Sequence, residues 1–82
     1  MGTPGHDLHA LFPADGAALT ALKQDNAHFR ALAEQEHVLQ KEIDRIDAGL
    51  DPASDERAEE LKKLRLTALD EIAALIAQHK AA

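Results

Sequence analysis

The residues of this 82-residue chain that could do chemistry are five histidines, fifteen carboxylates and a single serine, with no cysteine. Nucleophilic catalysis needs a Ser or Cys activated by a neighbouring base, and Ser54 is the one serine. It stands directly before Asp55-Glu56 at the head of a helical pattern, where its hydroxyl has sufficient work as a helix cap. His6 and His9 flank Asp7 and could share one face of a helix turn. Two imidazoles fall short of the three or four ligands that a zinc ion takes. His28 lies three residues after Asp25, the place from which a capping-box residue reaches back to the cap. His37 falls beside an apolar seam and is expected to face water, while His79 suits a helix carboxyl end when protonated. Catalytic carboxylates need a concave site that shifts their pKa, and a chain this short has little room for one. The four glycines, scattered at 2, 5, 16 and 49, make no phosphate loop. The expectation is a protein that is not an enzyme, with no catalytic residue, metal, cofactor or small-molecule substrate.

Composition narrows the classes further. Nine basic against fifteen acidic side chains give a net charge of −6, which lacks the basic footprint of a nucleic-acid binder. Without cysteine there is no disulfide framework, thiolate zinc site or iron–sulfur cluster. The longest wholly apolar run, Ile72 to Ala77, is far short of the roughly 20 residues that cross a bilayer. Met1-Gly2-Thr3-Pro4 shows neither a basic nor an apolar leader region, so a cytoplasmic location is expected. Nucleic acid and membrane are thus expected not to be partners. The length suits one small domain. Such a domain buries roughly 60–65% of its unfolded surface, so apolar gain and entropy cost nearly cancel. Pairing with another chain is one common remedy.

The elements follow from punctuation and spacing. Thr3-Pro4 can start a short helix through Leu11, and Pro13 can open a second that runs to about Lys23, weakened by Gly16. Asp25 or Asn26 can cap the next helix. Positions 29, 32, 36, 39, 43, 46 and 50 then step by threes and fours as a heptad seam, with Glu36 its single polar member. The pattern predicts a helix over 26–48; a single bent helix from Pro13 to Ala48 is the alternative. Gly49 and Pro52 end it, a loop covers 49–53, and Ser54 caps a last helix over 54–79. That helix carries Ala58, Leu61, Leu64, Ala68, Leu69, Ile72, Leu75 and Ile76 on one broad face. The short loop makes the two long helices antiparallel neighbours. The fold class is all-α: an antiparallel, coiled-coil-like helical hairpin with one or two short N-terminal helices (1–24), forming one small domain over 1–82.

Several stretches also resemble a known family. They are His6-Asp7-Leu8-His9, Phe12-Pro13, Leu22-Lys23, Ala27-His28-Phe29, Glu42-Ile43 and Gly49. They continue in Pro52-Ala53-Ser54-Asp55-Glu56, Glu59-Glu60-Leu61-Lys62-Lys63, Arg65-Leu66 and Asp70-Glu71-Ile72. From His6 to about Ile76 the chain is similar to the YdcH family, short bacterial proteins classed as a domain of unknown function. The resemblance implies a small helical, coiled-coil-forming protein without an assigned activity, and it lends no catalytic residue. Bulky aromatics common in that pattern are replaced by Ala33, Glu36, Arg57 and Ala73, and its mid-helix leucine and basic residue by Ala68 and Leu69. Each missing aromatic removes about 150–250 Å² of buried area. A looser hairpin, or one packed by a partner, is the implication.

The best functional lead is the wide edge of the last helix. Leu64, Leu66, Leu69, Ile72 and Ile76 are the predicted partner-binding residues, the partner being an unidentified protein or a second copy of the chain. Two other readings stand beside this one. Leu8, Leu11, Phe12, Leu19 and Leu22 could fold back and cover the same edge. The small basic cluster Lys62, Lys63 and Arg65 could touch phosphate or an acidic lipid surface, although Glu59, Glu60, Asp70 and Glu71 lie alongside.

Overall fold

A computed structural model describes residues 8–81. The described residues form α1 (Leu8–Leu11), a 3-10 turn at Pro13–Asp15, α2 (Gly16–Asp25), α3 (Ala27–Asp47) and α4 (Asp55–Ala81), with no strand. Helices α3 and α4 make the antiparallel hairpin, and the shorter elements fold back over its open end. The proposed helix start at Thr3-Pro4, with His6 and Asp7, lies outside the described residues.

Each boundary has a local cause. Phe12 precedes Pro13 and is held out of helical geometry at φ −126°, ψ 66°. Gly16 is the first residue of α2, where it does not incur the penalty of a mid-helix glycine. The chain does not run through as one bent helix. Asn26 is extended (φ −131°, ψ 105°), and its Oδ1 accepts from the Phe29 amide at 2.9 Å. Arg30 reaches back from α3 and donates through Nη1 to the Lys23 and Gln24 carbonyls at 2.8 and 3.3 Å. Those are groups that the end of α2 leaves without helical partners. With Asn26 as the cap, the capping-box position falls on buried Phe29. The role expected for His28 is therefore not filled; its Nε2 lies 3.9 Å from Glu71 Oε1.

At the other end of α3, Gly49 takes φ +78°, a left-handed conformation that glycine adopts without strain. The Leu50 amide donates to the Arg45 carbonyl at 2.8 Å and the Gly49 amide to Ile46 at 3.0 Å. This is a Schellman closure. It turns the chain out of the helix, so Leu50, expected to extend the seam, is two-thirds exposed. Arg45 also grips Asp51 with Nε and Nη2, at 2.7 and 3.2 Å. That two-point hydrogen bond, followed by the charge attraction, holds the Asp51 carboxyl below its ordinary pKa. Ser54 Oγ accepts from the Arg57 amide at 3.1 Å, the expected cap.

Three cross-hairpin contacts report one register. His28 meets Glu71 and, fourteen residues along each helix, Glu42 meets Arg57 at 3.3 Å. Between them Glu36 and Arg65 form the inner contact, with Arg65 Nε donating to Glu36 Oε2 at 3.0 Å. The Glu36 side chain is 1% exposed and that of Arg65 24%. This pair separates two apolar clusters. Towards the loop, Leu39, Ile43 and Leu61 pack with the half-buried Ile46. Towards the open end, Phe29, Leu32, Ile72 and Ile76 pack with Leu8, Ala18, Leu19 and Leu22. Each large side chain fully buried there, such as Phe29 or Ile72, contributes about 1.5–3 kcal/mol of transfer free energy. The cover is pinned by Lys80 Nζ on Asp15 Oδ1 at 2.8 Å, linking the last turn of α4 to the start of α2.

Replacing Arg65 by Ala leaves the Glu36 carboxylate buried without its partner. Urea unfolding followed by far-UV circular dichroism is expected to show a loss of about 3 kcal/mol, the low end for a broken buried pair because Arg65 is partly exposed. The Asp51 contribution has the sign of a depressed carboxyl: present above the unfolded pKa and lost as pH falls through the lower folded one. Carboxyl-resolved NMR titration should therefore give Asp51 a midpoint below the ordinary aspartate value, and Arg45→Ala should raise it back towards that value.

Candidate functional site

Residues with chemical potential do not converge. Among the described residues, no group of three His, Asp or Glu side chains is placed to hold a metal ion. Ser54 is engaged as a cap, and His28 sits on the surface beside Glu71. Two depressions among the described residues are open: one around the head of α4 (Ser54 to Lys63), another between Phe12, Ala73, Ile76, Ala77 and Ala81, bridged by Asp15 and Lys80.

The five residues predicted to form one contact edge on α4 divide into three environments. Ile72 (0% exposed) and Ile76 (3%) are interior, covered by Leu8, Leu19 and Leu22 from α1 and α2 and by Phe29 and Leu32 from α3. Both were expected on a free partner-binding edge and are instead core residues, because the chain's own N-terminal helices occupy that edge. Leu69 is half-buried against the same cluster. Leu64 (43% exposed) and Leu66 (59%) remain outside. Two residues apart on a helix means about 200° around its axis, so they do not share a patch. Leu64 lies midway between Arg57 and Glu71, on the flank where the Glu42–Arg57 ion pair and the His28–Glu71 contact join α4 to α3. Leu66 lies on the outward side, in line with exposed Lys62, Asp70, Ala73 and Ala77. From Ile72 through His79 no Asp, Glu, Lys or Arg interrupts the helix.

The charge pattern also changes once the fold is known. Arg65, read from the sequence as part of a surface basic cluster, turns inward to Glu36 and leaves Lys62 and Lys63 outside. Sequence reasoning missed Arg65 as the partner of Glu36, although a signal was there. Leu61, Arg65, Ala68 and Ile72 step by four, three and four, the same seam spacing that marks α3. Val38, half-exposed on α3, is an isolated apolar residue of the kind that ordinary surfaces carry.

The fold is thus a two-helix hairpin with a folded-back helical cover. The family model for a protein of unknown function, DUF465, matches residues 29–76, more than half of the chain, and the chain belongs to that family, the YdcH-like family of small proteins. The matched segment runs from Phe29 to Ile76, two residues of the same cluster at the open end of the hairpin. No curated protein and no solved structure matches the chain.

The split of the predicted edge has a direct test. Ile76→Asp puts a carboxylate into the cluster at the open end, and denaturation should show a loss of about 3 kcal/mol or more. Leu66→Asp, on the outward side, should stay within about 0.5 kcal/mol of the parent.

Proposed function

We propose that the protein is a cytoplasmic, non-catalytic helical scaffold that acts by helix-on-helix contact with another protein chain, through the outward side of α4 centred on Leu66. The observation that carries this reading is the arrangement of α4. Its inner seam is filled by the chain itself, while Leu66 stands 59% exposed, in line with Asp70 and then Ala73 and Ala77 two and three turns further along the helix. Small side chains let a second helix come close, and a protruding leucine gives it something to bury; fully burying a leucine contributes about 1.5–3 kcal/mol. Leu69, about 60° around the helix from Leu66, would border the contact. Two further observations support a surface role: the described depressions are open, and among the described residues no helix is long and apolar enough to cross a membrane.

The test is capture of partners by the tagged full-length chain from its own cell lysate, with mass readout of what is retained. Leu66→Asp is expected to reduce retention of a stoichiometric partner by about tenfold or more, equivalent to about 1.4 kcal/mol, with unchanged helicity. Undiminished retention by that variant would remove Leu66 from the contact and sink the proposal. Retention of nothing but further copies of the chain, lost in the same variant, identifies the partner as a second copy.

A further inference from the structure

We propose that the buried Glu36–Arg65 pair decides which helix the inner seam of this protein accepts, selecting α4 for α3 in one register against shifted registers and against pairing of α3 with α3, or α4 with α4, between two copies. Each long helix has one polar residue in its seam. In α3 it is Glu36, among Phe29, Leu32, Leu39 and Ile43; in α4 it is Arg65, among Leu61, Ala68, Ile72 and Ile76. An apolar seam alone discriminates poorly, because leucines and isoleucines pack on one another in many alignments, whereas a single polar seam position specifies register and oligomer state.

The alternatives can be taken in turn. Pairing α3 with the α3 of a second copy about their midpoints sets Glu36 on Glu36. A heptad shift of that pairing in either direction sets each carboxylate on Phe29 or Ile43. Pairing α4 with another α4 centred on Arg65 sets Arg65 on Arg65, and a heptad shift of that pairing sets each guanidinium on Ala58 or Ile72. Sliding α4 along its own α3 by one heptad moves Glu36 to Ile72 or Ala58, and Arg65 to Ile43 or Phe29. In each case a charge is buried without its counter-charge, which costs far more than a mismatched apolar contact. Only α3 against α4, in the register that the His28–Glu71 and Glu42–Arg57 contacts also mark, satisfies both groups. Stability is not what this arrangement optimises, since an apolar pair of similar volume often packs as well or better. The inference concerns the inner seam and is independent of the contact assigned to Leu66.

The experiment compares full-length variants in a Leu66→Asp background, so that outer-face contacts play no part. The parent is expected to scatter light as one chain of 8.9 kDa. Glu36→Leu with Arg65→Leu is expected to keep its helicity and melting temperature while its mass rises to two chains or more with concentration. Glu36→Leu with Arg65→Met, whose straight side chain follows the arginine stem more closely, is expected to do the same. A one-chain mass at every concentration for both variants overturns the inference. Loss of helicity in both also overturns it, because the pair would then be a source of stability and not of choice.

Discussion

The contact between Glu36 and Arg65 is the constraint around which the rest of the molecule is arranged. Glu36 sits at the middle of the α3 seam with almost no access to water, and Arg65 is the cation that answers it. A carboxylate in that position is tolerable only when paired. The pairing fixes the axial position of α4 against α3, and the exposed contacts at His28–Glu71 and Glu42–Arg57 then fall into line. Surface pairs of that kind contribute little by themselves. They follow the register that the buried pair sets.

The same contact divides the core, and the two halves are completed differently. On the loop side the hairpin packs with two helices and is closed by the Schellman turn and the Arg45–Asp51 fork. On the other side two helices are not enough: Phe29, Leu32, Ile72 and Ile76 leave an apolar edge, and α1 and α2 are folded over it. A chain of this size needs that third layer, because the surface a bare hairpin can bury barely offsets the entropy of ordering it. Ala33, where the family resemblance anticipates an aromatic, is partly buried against this cluster. Ala73 instead borders the open depression beside Phe12.

Much of this was legible in the residues. Gly49 with Pro52, Ser54 before Asp55-Glu56, and the step of threes and fours from Phe29 to Ile43 gave the hairpin, because each acts through its own backbone or its nearest turn. What was not legible depends on what lies across from a residue. Ile72 and Ile76 have the spacing of a free edge whether the occupant is foreign or the chain's own N-terminus, and periodicity carries no information about that choice. Arg65 looks like a neighbour of Lys62 and Lys63 when charges are grouped along the chain, and like a seam residue only when the α3 spacing is laid onto α4. Whether Asp25 or Asn26 caps α3 differs by one residue; it decided that Phe29, not His28, stands at the third helical position.

The unequal ends have a kinetic consequence. Contacts near the loop join residues close in sequence, so little chain has to be closed before Ile43 and Leu61 meet. The end holding Phe29 and Ile72 must bring together segments far apart, including the N-terminal helices. Yet the distant end has the larger apolar cluster and the added layer, while the loop end has two helices only. Order of formation and depth of protection therefore run in opposite directions along the hairpin. The part that assembles first is the part that amide exchange would find opening most readily, and the latest contacts made are the ones that keep the chain folded.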